Sequence, residues 1–372
     1  MKRIKSIDTF RGLSMLWMFM GHLQLWWIVE RDRWIYYLTL SIFDVIGASA
    51  FLFISGLSLM ISYKKKTEYN EHSKSVRNEY LFRTALIFTL AILYNLFIVI
   101  ATNNPLQLWT WFVLLTIAVS MLLAYPILKY SKILRIFIGV TVWVVNYFLY
   151  AYLSTHKEVS ASCGLFYYIL YNTPDLDPIL SFFPFFLFGT VVGDIIYDIY
   201  KHENHVIKRI ALRKKLLVPS LIIGPALVAF GVWFGFPLFF TARSFSWLPY
   251  TLGIILCLLS LFLFFEEFVF YNVRKSYKFL YYFSYYSLTI FLTHNILYFL
   301  FYQQLTLIQA WVYIFITTLM VGLLFRFVYM KWGNTLSLKY QIGRLSYNLA
   351  LLVENVEFRI WFEKFKLKLI SK

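Results

Sequence analysis

The stretch DTFRGLSMLWMFMGH, residues 8–22, decides how this chain is read. From Phe10 to Val29 the sequence is almost wholly apolar, and about 20 such residues suffice to cross a bilayer as one helix. Yet it carries Arg11 near one end and His22 eleven positions further on. At about 100° per residue, eleven positions make three turns plus roughly 20°, so the two side chains share one face, about 16 Å apart along the axis. Asp8 lies three positions before Arg11, within ion-pairing reach on a helix. An ionisable group inside a span costs about 2.5–3.5 kcal/mol on insertion scales, so it faces a bundle interior or a cavity. For Arg11, snorkelling at the interface is the bland alternative, since one span residue precedes it. For His22, which sits deeper, the bland alternative is a packed core histidine bonded to a backbone carbonyl.

The rest of the 372-residue chain has the same character: 60% hydrophobic, 22% aromatic, 14% charged, with mean hydropathy +0.67. That composition excludes a soluble protein and predicts an all-α polytopic membrane protein. Ten apolar windows can be marked, at 10–29, 38–62, 81–101, 109–128, 135–154, 179–199, 216–235, 249–266, 284–303 and 309–330. Prolines or polar residues interrupt the sixth and eighth. No small-residue cleavage site follows the first window, so it is expected to be a permanent helix. With ten spans and a cytosolic N-terminus, the cytosolic segments hold 29 of the 35 Lys and Arg residues and the outer loops four. This asymmetry predicts cytosolic termini. It also assigns the net charge of +17 to anionic membrane lipids rather than nucleic acid. Cys163 and Cys257 supply neither a disulfide framework nor a metal site. No connection is long enough for a further domain, so residues 1–331 read as one membrane unit. The segment 332–372, ending FRIWFEKFKLKLISK, reads as a basic amphipathic cytosolic tail.

The Arg11-to-His22 spacing, with the run SIDTFRGLSML (6–16) around it, resembles the first helix of the transmembrane acyltransferases. That superfamily joins the acyltransferase-3 family to the heparan-α-glucosaminide N-acetyltransferase family, and the run is more similar to the latter. FLFISGLSLMIS (51–62), FFPFFLFGTVVGD (182–194) and YYSLTIFLTHN (285–295) resemble later helices of these families, in the expected order. The resemblance implies transfer of an acyl group, most simply acetyl from cytosolic acetyl-CoA, to a sugar or glycan at the outer face of the cell membrane. It needs no metal, and an oligomer is compatible with it. One departure is that QLWWIVERDRW (24–34) lacks the outer-loop histidine of the glucosaminide enzyme. That leaves His22 as the candidate and weakens the case for glucosamine as acceptor.

The chemistry suits these residues. Acyl transfer from a thioester needs a base for the acceptor's proton, and a neutral imidazole at His22 serves as base or as nucleophile. The Arg11 guanidinium matches a CoA phosphate, with Asp8 to orient it. Asp44 lies at a depth similar to His22; it either holds the imidazole tautomer or caps a helix starting near 45. Ser55 touches substrate or, with Gly56, permits close helix packing. His294 and Asn295 are read as tunnel-lining donors to the oxyanion. Asn95 and Asn146 read as interhelical hydrogen-bond partners, and Asp194 as structural. Asp175 and Asp177, among aromatics in an outer segment, read as sugar ligands or, preferably, as part of an interfacial belt. The alternative function is a proton-coupled transporter using Arg11, His22 and Asp44 as a relay. It lacks support from an inverted repeat or paired broken helices.

Overall fold

Each apolar window is mainly helical, two of them in more than one piece, and the windows differ in how well they are buried. The structure, a computed structural model, describes residues 3–69, 73–172, 176–241, 244–269 and 278–354. Asp175 and the FRIWFEKFKLKLISK stretch lie outside them. The helices are α1 Lys5–Trp27, α2 Trp34–Phe43, α3 Ala48–Tyr69, α4 Ser73–Thr102, α5 Val113–Ile127, α6 Lys132–His156, α7 Ala161–Tyr171 and α8 Ile179–Tyr200. They continue with α9 His205–Leu212, α10 Val218–Phe234, α11 Trp247–Phe264, α12 Lys278–Tyr285, α13 Ser287–Thr293, α14 Leu307–Trp332 and α15 Leu338–Glu354. No sheet forms among the described residues.

Among the described residues, seven helical runs are long and apolar enough to cross a membrane: α2 with α3, α4, α6, α8, α9 with α10, α11, and α14. Three of the ten windows miss that standard, each for its own reason. Arg11, His22 and Gln24 depress the hydropathy of α1. Helix α5 has only 15 residues. The window 284–303 is broken at Tyr286 and passes at His294–Phe299 into a tighter helical turn. The ring Nδ1 of His294 lies 2.7 Å from the carbonyl oxygen of Phe291 and 3.2 Å from that of Ile290. A side chain that occupies the carbonyls one turn back competes with the regular helical ladder, which accounts for the tightening there.

The bundle is organised around α8, whose apolar window is 89% buried although it contains Pro184, against 22% for α4, α6 and α14. Helices α8 and α3 touch backbone to backbone. A Cβ at Gly56 would collide with the carbonyl oxygen of Phe186, one at Gly189 with that of Phe53, and one at Gly193 with that of Leu57. Small residues at such crossings let helices approach where apolar solvent gives no hydrophobic drive. Gly12 likewise seats α1 against the Leu280 carbonyl of α12.

Helix α1 is fixed at both ends. The carboxylate of Glu266 accepts the free backbone N–H groups of Lys5 (2.9 Å) and Ser6 (2.7 Å), which suits the positive end of a helix dipole. At the other end, Gln303 N–H donates to Trp26 C=O and Leu305 N–H to Trp27 C=O, both at 2.9 Å, and Val29 N–H donates back to Leu305 C=O at 3.0 Å. Trp27 Nε1 donates to Leu297 C=O at 2.9 Å. These bonds set the register of α1 against the segment after α13. Elsewhere, Asp194 pairs with the buried Arg135 and with Lys64. Asn95 donates to Leu108 and Thr110 carbonyls, and Asn146 to Ser181 Oγ at 3.2 Å. Asp194 and Asn146 tie helix to helix, whereas Asn95 ties α4 to the connection that leads into α5.

The glycine contact gives a direct expectation. Gly189→Ala should destabilise the protein by about 1–3 kcal/mol through overpacking, despite alanine's better helix propensity. Gly343→Ala, whose added Cβ meets nothing within 4 Å, should not. Thermal melts in detergent, followed by size exclusion, distinguish the two; equal melting temperatures refute the close-packing account.

Candidate active site

The stitched register of α1 brings His22 against His294 across 272 residues of sequence, with Nδ1 of His22 2.6 Å from Nε2 of His294. The ring centroids are 4.8 Å apart and the planes differ by 11°. Parallel rings stacked one over the other cannot bring two nitrogens that close, so the imidazoles are coplanar and joined edge to edge. Proton placement follows from the partners. The Phe291 carbonyl only accepts, so His294 Nδ1 carries a hydrogen. A neutral His294 therefore offers the Nε2 lone pair, His22 donates from Nδ1, and His22 Nε2 is left unprotonated. The indole of Trp26, one turn after His22, stacks on both rings, with centroids 5.3 Å from His22 and 5.4 Å from His294.

Two chambers lie end to end. The first has about 830 Å³ of free space, its open mouth included, and is walled by Arg11, Ser55, Ser58, Arg83, Ser287 and Lys339 among apolar side chains. The second, of about 1040 Å³ on the same measure, is walled by His22, Asp44, Tyr36 and Asp177 among others. Phe51, Val113 and Phe291 belong to the walls of both. The first chamber is basic. Arg11, only 7% exposed, lies 3.6 Å from Asp8 and donates to Ser58 Oγ. Arg83 has a buried Nε with no hydrogen-bond partner. Lys339 reaches in from α15, which packs on α4 and α13. Withdrawal from water, with Arg11 and Arg83 close by, pushes the Lys339 ammonium well below its usual pKa.

The structure thus puts Arg11 and Ser55 in one chamber and His22 and Asp44 in the next, with Asp8 beside Arg11. At Nδ1, His22 is met by His294, while Asp44 opens a short turn before α3 and stands on the wall of the same chamber. With its proton on Nδ1 and its Nε2 accepting, neutral His294 has no N–H left for an oxyanion. Asn295 Nδ2 donates to the Tyr94 hydroxyl at 2.7 Å and is not on the wall of either chamber. Asp177 stands on the wall of the His22 chamber. Sequence reasoning passed over Arg83, Lys339 and Trp26. Arg83 closes a run of loop charges, Lys339 sits in an amphipathic tail, and Trp26 falls in an aromatic-rich helix end. Only its spacing of four from His22 marks Trp26.

Fold and site together define a multi-pass membrane protein of the acyltransferase type. Residues 3–233 match the family described as heparan-alpha-glucosaminide N-acetyltransferase, catalytic, and the chain belongs to that family of membrane acetyltransferases. The match takes in Arg11, His22, Asp44, Ser55 and Arg83, whereas His294, Asn295 and Lys339 lie beyond it. No curated protein and no solved structure matches the chain.

The proton arrangement is testable without substrate. In ¹⁵N-histidine-labelled protein in lipid, comparison with His22→Gln should assign to His22 a neutral ring protonated at Nδ1, and His294→Ala should release that preference. A His22 ring protonated at Nε2 in the wild type contradicts the assignment.

Proposed function

We propose that this protein transfers an acetyl group from acetyl-CoA, entering from the cytosol, to an amine or hydroxyl of a sugar at the outer face of the cell membrane. The observation that carries the reading is the pair of chambers meeting at Phe51, Val113 and Phe291, basic on one side and lined by the lone-pair nitrogen's ring on the other. The first chamber suits the donor. Arg11, Arg83 and Lys339 offer three cations to the phosphates of CoA, with forked guanidinium donors matched to phosphate oxygens. They lie with the basic segments that the charge asymmetry assigns to the cytosol. From there an extended pantetheine arm leads its thioester past the shared walls toward His22.

The second chamber suits the acceptor. His22 Nε2 takes the proton of the acceptor N–H or O–H as its nitrogen or oxygen attacks the thioester carbonyl. The C–S bond then breaks, and the leaving thiolate takes that proton back from His22 as CoA-SH. Donor and acceptor reach His22 from different chambers, so both can be present at once and direct transfer needs no acyl-histidine. Asp44 and Asp177, on the same wall, are placed to accept hydrogen bonds from a sugar's amine or hydroxyls. The acceptor in the family's description, an α-glucosaminide, is therefore the first to try.

Purified protein in detergent, given acetyl-CoA and an α-glucosaminide, should release CoA. His22→Ala should lower turnover by a factor of about 10²–10⁴, the usual contribution of a positioned base. Arg11→Ala, Arg83→Ala or Lys339→Ala should instead weaken acetyl-CoA binding roughly 10- to 100-fold, the worth of one charge-assisted hydrogen bond. Unchanged acetyl-CoA affinity in all three refutes the donor assignment. The depressed Lys339 gives a pH sign as well. A bound phosphate restores the favourable state of the ammonium and raises its pKa, so binding takes up a proton and affinity falls as pH rises. Calorimetry in buffers of different ionisation enthalpy reads that uptake; proton release would reverse the account.

A further inference from the structure

We infer that Trp26 is a positioning residue whose indole face stabilises the imidazolium formed when His22 takes the acceptor's proton. This rests on the reading of His22 as base, and it adds a residue with no acid–base chemistry of its own.

The two neighbouring tryptophans of α1 do different work. Trp27 is wholly buried, donates its indole N–H to Leu297 C=O and packs edge-on against Phe301. That is the behaviour of a core anchor. Trp26 is half-buried and packs against both joined imidazoles in an offset, near-parallel arrangement, 5.3 Å and 5.4 Å from their centroids and tilted by 27° and 25°. It is held there from two sides. Its carbonyl accepts from Gln303 N–H at 2.9 Å, and Tyr298 meets its ring edge-on at 5.8 Å and 75°.

Coplanarity gives this placement its meaning. Once His22 Nε2 is protonated, the Nδ1 hydrogen lies on a 2.6 Å line to His294 Nε2, and the positive charge spreads along the pair. No proton is gained or lost by that sharing; the Nδ1–H bond of His22 lengthens toward His294, whose own Nδ1–H stays on the Phe291 carbonyl. A cation spread over two coplanar rings presents a broad face, and tryptophan presents the most electron-rich face of any side chain. The neutral pair gains less from it, so the contact favours the state reached during proton transfer, which is the condition for acceleration.

The test is the single-turnover rate of acetyl-CoA with an α-glucosaminide in detergent. It compares wild type, Trp26→Phe and Trp26→Leu with protein carrying mono-, di- and trifluorotryptophan at position 26 by nonsense suppression. Fluorination drains the ring face while keeping its shape, so these proteins stay folded even where Trp26→Leu does not. The rate should fall stepwise with each fluorine, to a total of about 2- to 30-fold for loss of the cation–π contact, with acetyl-CoA affinity unchanged. A rate indifferent to fluorination overturns the inference and leaves His22 as base. No turnover by wild type overturns both together.

Discussion

Helices α3 and α8 meet at Gly56, Gly189 and Gly193 with no side chain between their backbones, and the position of everything around them follows from that contact. Lipid supplies no hydrophobic drive for helices to associate, so close van der Waals approach must supply it. The contact draws α3 in so deeply that Phe51, Ser55 and Ser58 become walls of the internal chambers. Helix α1 is then seated on the far side by Gly12 against α12 and pinned at both ends, by Glu266 and by the 303–305 segment. A rigid centre with a pinned polar helix beside it holds two imidazoles 2.6 Å apart in one plane.

The three windows that are poorest as membrane spans all contribute to the site. Helix α1 carries Arg11 and His22, α5 contributes Val113 to both chambers, and α13 ends at His294. Polarity, shortness and a broken ladder each count against a span by hydropathy, and each is what a buried reactive group requires of its backbone. The cost is met in part locally. His294 engages the carbonyls of its own turn, and Gln24 Oε1 accepts from Thr39 at 2.7 Å while its Nε2 is left without a partner.

Much of this was legible in the chain. The apolar windows, the Arg11–His22 spacing and the charge asymmetry need only periodicity and composition, because they are properties of one helix or of the whole. Asp8 beside Arg11 follows from a spacing of three. What was not legible depends on register between distant helices. His294 was visible as a polar residue in an apolar window, but whether it meets His22 or an oxyanion depends on the 303–305 stitch, which no local pattern encodes. That His294 rather than Asp44 meets His22 Nδ1 depends on the same register. Arg83 and Lys339 were hidden by a different cause: in a protein with 35 Lys and Arg residues, two inward-turned cations cannot be told from those that face headgroups.

Helix α15 bears on how the protein comes to exist as well as on what it binds. Thr289 accepts from Leu338 N–H at 3.2 Å and donates to Leu336 C=O at 3.1 Å, and Ser337 donates to Tyr285 C=O at 3.1 Å, so α15 docks onto helices already threaded. Chains emerge N-terminus first. The chain up to His294 is therefore synthesised before Lys339, which stands on the wall of the basic chamber. Helix α15 is the last of the described helices, and a chain terminated before it would lack Lys339, one of the three cations proposed to hold the donor's phosphates.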